Sequence, residues 1–193
     1  MFGQANVSAG LSNVAAVAGG STYSLALLSN GTVVVRGTQP APPADLTNVT
    51  AIAAGWRHCL ALRADGTVVS WGDSNAVPAN LTNVVAISAG DGQSLALLDD
   101  RTVVAWGDGD FGKTLVPPGL SNVVAISAGK DHCLALLQNG TLVGWGRDED
   151  HQAIPPAGLS NIVAVSAGAF HTVALRANGT LAAWGNNIFS QSD

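Results

Sequence analysis

LSNVVAISAGKDHCLALLQNGTLVGWGRDEDHQAIPPAG, residues 120–158, is the stretch from which the fold can be read. It holds four short runs with strand character, at 123–127, 133–137, 141–145 and 152–155, each followed by a turn signal. Asn139-Gly140 is the clearest of these signals and predicts a two-residue hairpin of type I′, which needs positive φ twice. Four strands in a meander make one sheet, and such a sheet cannot cover its own faces. It requires neighbours of the same kind.

The rest of the chain supplies them. Leu-Ser/Thr-Asn openings begin at Leu11, Leu46, Leu81, Leu120 and Leu159, so the units span 11–45, 46–80, 81–119, 120–158 and 159–193. Ala-Gly, Leu-Ala-Leu, Asn-Gly-Thr and Trp-Gly recur in register, and a period near 40 with four strands per unit predicts propeller blades. We therefore expect one all-β domain over 1–193, a β-propeller of about five four-stranded blades. Residues 1–10 match the fourth-strand stretch of a blade, while the unit holding Trp184 stops where its own fourth strand should start. The N-terminal strand, through Asn6 and Val7, is thus expected to complete the Trp184 blade. It can do so within one chain or from a neighbouring one.

Two units depart from the pattern. Arg36-Gly37 replaces Trp-Gly in the first, and a proline-rich link follows it. Asp100-Arg101 replaces Asn-Gly in the third, which predicts a different hairpin turn there.

Composition narrows the function classes. The 193 residues are 47% apolar, only 11% charged, and carry a net charge of −5 without a basic cluster. Nucleic-acid binding therefore lacks its electrostatic footprint. No apolar run approaches the ~18 residues of a membrane-spanning helix. MFGQANVSAG has neither a basic start nor a long apolar stretch, so it does not read as a secretory signal, and the compartment stays open.

No phosphate cradle, nucleophile elbow or acid/base pair is present, so no catalytic residues, cofactor or metal are expected. His58, His132 and His171 share one repeat position and read as framework groups bonded to a neighbouring blade. Trp71, Trp106, Trp145 and Trp184 read as packing between blades, and Cys59 and Cys133 as buried thiols.

Loops in a meander alternate between the two ends of the strands. The loops after Ala-Gly and after Trp-Gly therefore share one end, which also collects most of the charged residues. That face is the candidate surface for a protein partner.

Val-Val-Ala-Ile-Ser-Ala-Gly, two variable residues, His, Leu-Ala-Leu, Asn-Gly-Thr and Trp-Gly together resemble the repeat of the regulator of chromosome condensation family. Phe-Gly and Val-Pro-Pro-Gly in the links resemble its compact bacterial branch, which includes β-lactamase inhibitory protein II. The resemblance implies a propeller that binds protein and is not an enzyme. It also implies that the aromatic positions after Ala-Gly contact the partner. Here those are Tyr23, Trp56 and Phe170, with Arg57, Asp91, Lys130 and Asp131 beside them. Two alternatives accompany this expectation: a structural protein assembling through the split blade, and an inhibitor of a secreted enzyme.

Overall fold

The computed structural model describes residues 11–39, 41–73, 76–188 and 190–191. Asn6 and Val7, Pro40, and the Ser74-Asn75 link lie outside the described residues, and with them the expected closure of the last blade by the N-terminal strand.

Among the described residues five antiparallel sheets follow one another, each a three-strand meander. The first is β1 (Val14–Gly19), β2 (Tyr23–Leu28) and β3 (Val33–Gly37). The second is β4 (Val49–Ala54), β5 (His58–Arg63) and β6 (Val68–Gly72); the third is β7 (Val84–Ala89), β8 (Gln93–Leu98) and β9 (Val103–Gly107). The fourth is β10 (Val123–Ala128), β11 (His132–Leu137) and β12 (Leu142–Gly146); the fifth is β13 (Ile162–Ala167), β14 (His171–Arg176) and β15 (Leu181–Gly185). The all-β, blade-by-blade expectation is met, with three strands per sheet among the described residues where four were expected.

The reason lies in the fourth segment. In the fourth unit, Ala153 and Ile154 turn their amides to the Asp148 carboxylate, at 2.9 and 3.0 Å, and not to a ladder on β12. In the third unit a short 3-10 turn at Asp110–Gly112 precedes the segment, and Pro117 and Pro118 have no amide to donate. These segments run beside the sheets as packed, non-laddered chain.

Hairpin turns also differ in type from the expectation. Gly31, Gly66, Gly140 and Gly179 have positive φ, whereas the Asn or Asp before each does not. The turn is therefore a type I turn followed by one left-handed residue, a bulged three-residue hairpin. The carboxylate or amide oxygen of Asn30, Asp65, Asp100, Asn139 and Asn178 accepts the amide two residues on, which explains the Asn/Asp-x-Thr pattern. Arg101 adopts the same left-handed geometry at φ 67°, so the third hairpin matches the other four after all. Asn13, Asn48, Asn83, Asn122 and Asn161 lie at φ 56–58°, which accounts for the asparagine opening each unit.

Packing is between blades, not within them. Tyr23, Leu25, Leu27 and Val33 of the first blade pack on Val49, Ile52, Cys59, Ala61 and Trp71 of the second. The same layer recurs at the next three junctions. Inner strands stack in the order β1, β4, β7, β10, β13. Among the described residues the first and last blades do not form a fifth junction of this kind: Val17 on β1 is 77% exposed and Leu181 on β15 is 67% exposed. The described residues thus form an arc of five blades with two uncovered sides.

Candidate interaction face

Strand register fixes which loops meet. Tyr23 pairs with Gly37, His58 with Gly72, Gln93 with Gly107, His132 with Gly146 and His171 with Gly185. Each loop after Ala-Gly therefore sits beside the loop after Trp-Gly of its own blade. Backbone bonds seal the pair, as from Asp73 N to Arg57 O and from Arg147 N to Asp131 O, at 2.9 and 2.8 Å. Glycine is required at the second of these positions: Gly72 and Gly146 have φ 89° and 96°, and a Cβ would strike the adjoining loop carbonyl.

Beneath the loops lies a polar ring that ties blade to blade. His58 Nε2 stands 3.0 Å from Ser94 Oγ of the next blade, and His132 Nε2 stands 2.9 Å from Thr172 Oγ1. Gln93 Nε2 donates to Gly129 O at 2.9 Å. Tyr23 belongs to this ring. It is 1% exposed and donates its hydroxyl to Gly55 O at 2.9 Å, so it is a framework group and not an exposed contact. Ser21 holds the loop position that Trp56 holds in the second blade, and donates to Trp56 O at 2.6 Å.

Burial shifts the titration of the ring. Desolvation pulls the His132 imidazole down to about 4, with the neighbouring His171 adding to the shift. It lowers His58 as well. Both histidines are therefore neutral at physiological pH. Desolvation raises the Cys59 thiol to about 11 and the Cys133 thiol to about 12, so neither is a nucleophile. Among the described residues no group of three or more His, Cys, Asp or Glu side chains converges as a metal site.

Two clusters of side chains emerge above the ring. Trp56 is 51% exposed, Arg57 reaches Asp73 at 3.9 Å, and with Ser21, Thr22 and Thr38 they border a groove of about 620 Å³. The second cluster spans the third to fifth blades. The Arg147 guanidinium lies 5.1 Å from the Phe111 ring and 5.7 Å from Phe170, and Lys130 Nζ lies 4.9 Å above Phe170. Asp131, 6% exposed, is the anchor of this cluster and is not part of its surface. It holds Arg147 at 3.7 Å and the buried Lys113 at 3.5 Å.

Lys113 is a residue that sequence reasoning missed. Its ammonium is also 2.9 Å from Asp108 and from Asp91 O, so one cation fastens three loops. Nothing in a single sequence marks it, because a lysine in a polar link ordinarily reads as solvated. Of the expected contact residues, Trp56, Arg57, Asp91, Lys130 and Phe170 reach the loop face, and Phe111 and Arg147 join them.

The repeat unit now has a known counterpart. The Regulator of chromosome condensation (RCC1) repeat matches residues 49–76, 84–113, 123–152 and 162–191. The chain belongs to the RCC1 repeat family. Each match runs from the start of an inner strand to the segment after the Trp-Gly loop, which is one blade of the structure. Solved RCC1-type structures superpose over most of the chain. Yeast RCC1 (Prp20), solved bound to Kap60, gives a TM-score of 0.76 at 25% identity over 90% of this chain and 56% of that one. The ectodomain of the receptor kinase CR4 from Physcomitrella patens gives 0.81 at 27% over 92% and 52%. Human WBSCR16, at 0.71 and 20% over 89% and 61%, shares the fold. The chain spans between about half and three-fifths of the length of these structures. No curated protein matches the sequence. RCC1-type propellers commonly mediate protein interactions.

Proposed function

We propose that this RCC1-repeat protein is a non-enzymatic scaffold that binds a protein partner through the face formed by the loops after Ala-Gly and Trp-Gly. The observation that carries this reading is the contrast between the buried ring and what stands on it. The ring side chains are buried and bond from blade to blade, while Trp56 and Phe111 are exposed above them and the half-buried Arg147 lies against both Phe111 and the half-buried Phe170. Exposed tryptophan, phenylalanine and arginine on a rigid base are the side chains that dominate binding energies at protein interfaces.

Charge supports a partner with a basic surface. Asp73, Asp91, Asp108, Asp110, Asp148, Glu149 and Asp150 sit in these loops, against Arg57, Lys130 and Arg147. Yeast Prp20 was studied for binding to Gsp1p and histones, which is a precedent for protein binding in the family and no more. Trp56, Arg57, Lys130 and Phe170 carry the contact, with Asp91 at its rim.

The test is affinity capture from native extract with the wild-type chain and a Trp56→Ala/Arg57→Ala/Phe170→Ala variant. The variant should lose a partner that the wild type retains, while its circular dichroism and melting temperature stay within a few degrees. Equal capture by both proteins would place the contact elsewhere. Inhibition of a secreted enzyme is the narrower form of the same reading and uses the same face.

A further inference from the structure

We propose that the groove beside Trp56 binds a neutral saccharide, with the Trp56 indole as the platform for one sugar face and the polar side chains around it as partners for the hydroxyls. This rests on the loop face being the recognition surface, and names the class of ligand taken at its end between the first and second blades.

Link length decides where the groove lies. Units 81–119 and 120–158 are 39 residues long, against 35 for 11–45 and 46–80, and the difference falls in the link after Trp-Gly or its equivalent. In the third unit the longer link carries Phe111 onto Arg147 of the next blade. The first unit has the short link, and the groove of about 620 Å³ lies between its loops and those of the second blade. That size is within the ~300–1,000 Å³ range of small-ligand sites.

The platform is fixed before any ligand arrives. Trp56 N donates to Gly90 O at 3.0 Å and Ser21 Oγ donates to Trp56 O at 2.6 Å. Both sides of the Trp56 backbone are therefore held, while its indole is exposed. An indole face is apolar and electron-rich, and the C–H groups on one side of a pyranose ring complement it. A rigid platform also avoids the entropy loss of ordering a loop on binding.

The rest of the lining sets the polarity. Thr22 and Thr38 bring two hydroxyls 2.6 Å apart, and Gln39 brings its carboxamide against Gly72, where a Cβ would collide with it. Hydroxyls and carboxamides both donate and accept. Arg57 and Asp73 supply a planar donor fork and a planar acceptor pair. They are 3.9 Å apart and both well exposed, so their pairing is loose and leaves each available. Their charges cancel within the groove, which leaves an ionic ligand without a net counter-charge. A polyol, whose neighbouring hydroxyls donate and accept in turn, matches this lining. Trp56 is the one aromatic side chain among the described residues of the groove, too few for the aromatic-lined grooves that take proline-rich peptides.

The test is a titration of the full chain, followed in proton–nitrogen correlation spectra. The probes are neutral gluco-, manno-, galacto- and chito-oligosaccharides, with an oligogalacturonate as the charged comparison, each up to about 10 mM because a shallow site binds weakly. At least one neutral series should shift the Trp56 indole and the amides of Ser21, Thr38, Arg57 and Asp73, with the buried indoles of Trp71, Trp106, Trp145 and Trp184 unmoved. Trp56→Ala should abolish the response, and Trp56→Phe should keep it with affinity lowered about fivefold. Thr38→Val should weaken it by about fivefold, as loss of one hydrogen bond does. Both positions are exposed, so the variants should keep the wild-type circular dichroism. The responding sugar is then added to the partner capture. Release of the partner means that a glycoprotein carries the sugar, and undisturbed capture means a free saccharide; the groove is a saccharide site in either case. Silence across every neutral series, a response to the anionic oligomer alone, or a Trp56→Ala variant that responds as wild type does overturns the proposal. Because the titration contains no partner, such a result leaves protein binding by the loop face to its own capture test.

Discussion

At residue scale the chain shows how much one side chain can be asked to do when burial removes its alternatives. Lys113 is the clearest case. Its ammonium is buried against Asp108 and Asp131, and a buried charge survives only when paired and bonded. Lys113→Ala should cost about 3 kcal/mol in urea denaturation, because it leaves Asp131 buried with only Arg147 as partner. Arg101 is the opposite case, a side chain in a backbone geometry that glycine adopts at no penalty. Arg101→Gly should stabilise the chain by about 1 kcal/mol, offset only by the lost surface bond from Arg101 to Gln138.

The buried histidines set a direction for pH. His132 titrates near 4 in the folded chain and near 6.5 when unfolded, so between those values the unfolded state binds the extra proton. Its contribution to stability is complete above pH 6.5 and is lost as pH falls toward 4, by about 1.4 kcal/mol per unit. His58 acts in the same sense. Equilibrium unfolding at pH 7.5, 6 and 5 should show this decline. His132→Gln, which keeps a neutral side chain with bonding capacity, should flatten it.

At element scale the strands were largely legible in the sequence, and the segments between them were not. Apolar runs and Asn/Asp-x-Thr turns recur five times in register and Trp-Gly ends four of the units, so short apolar runs between turn signals mark the fifteen observed strands. The fourth segment carries a similar pattern, yet its amides go to Asp148 and its prolines cannot donate; a side-chain acceptor five and six residues upstream leaves no periodic trace. Hairpin type was misread for a related reason. Asn-Gly suits type I′, but the asparagine here spends its side chain on the threonine amide and keeps negative φ. Tyr23 looked like a surface aromatic because it adjoins a variable loop, although its repeat position is that of the buried histidines. Gly144 offers a test of how the fourth segment is held. A Cβ there would overlap the Ala153 carbonyl oxygen, so Gly144→Ala should push the segment off β12. Amide exchange at residues 150–154 should rise at least tenfold, while exchange in β11 is little changed.

At the scale of the whole molecule, rigidity and recognition are assigned to different layers. Apolar sheets stack side on side and the polar ring locks them near the loops, which leaves the loop residues free to differ from blade to blade. The loop face was legible because strand number alone decides which loops share an end. The burial of Asp131 and the contacts of Arg147 with two phenylalanine rings were not, since each depends on distances between units about 40 residues apart. Carboxylates outnumber cations on this face, so a partner with a basic surface should bind more weakly as salt rises from 50 to 300 mM, by about tenfold if a few exposed ion pairs are involved.

Hydrogen exchange of the full chain with and without its captured partner, read by mass spectrometry, is the most direct measurement of where recognition occurs. Protection should appear in the loops around Trp56, Phe111, Lys130, Arg147 and Phe170, with the hairpin turns at Gly31, Gly66 and Gly140 unchanged. Protection confined to those turns, with the loops exchanging as in the free chain, would contradict the assignment of the face.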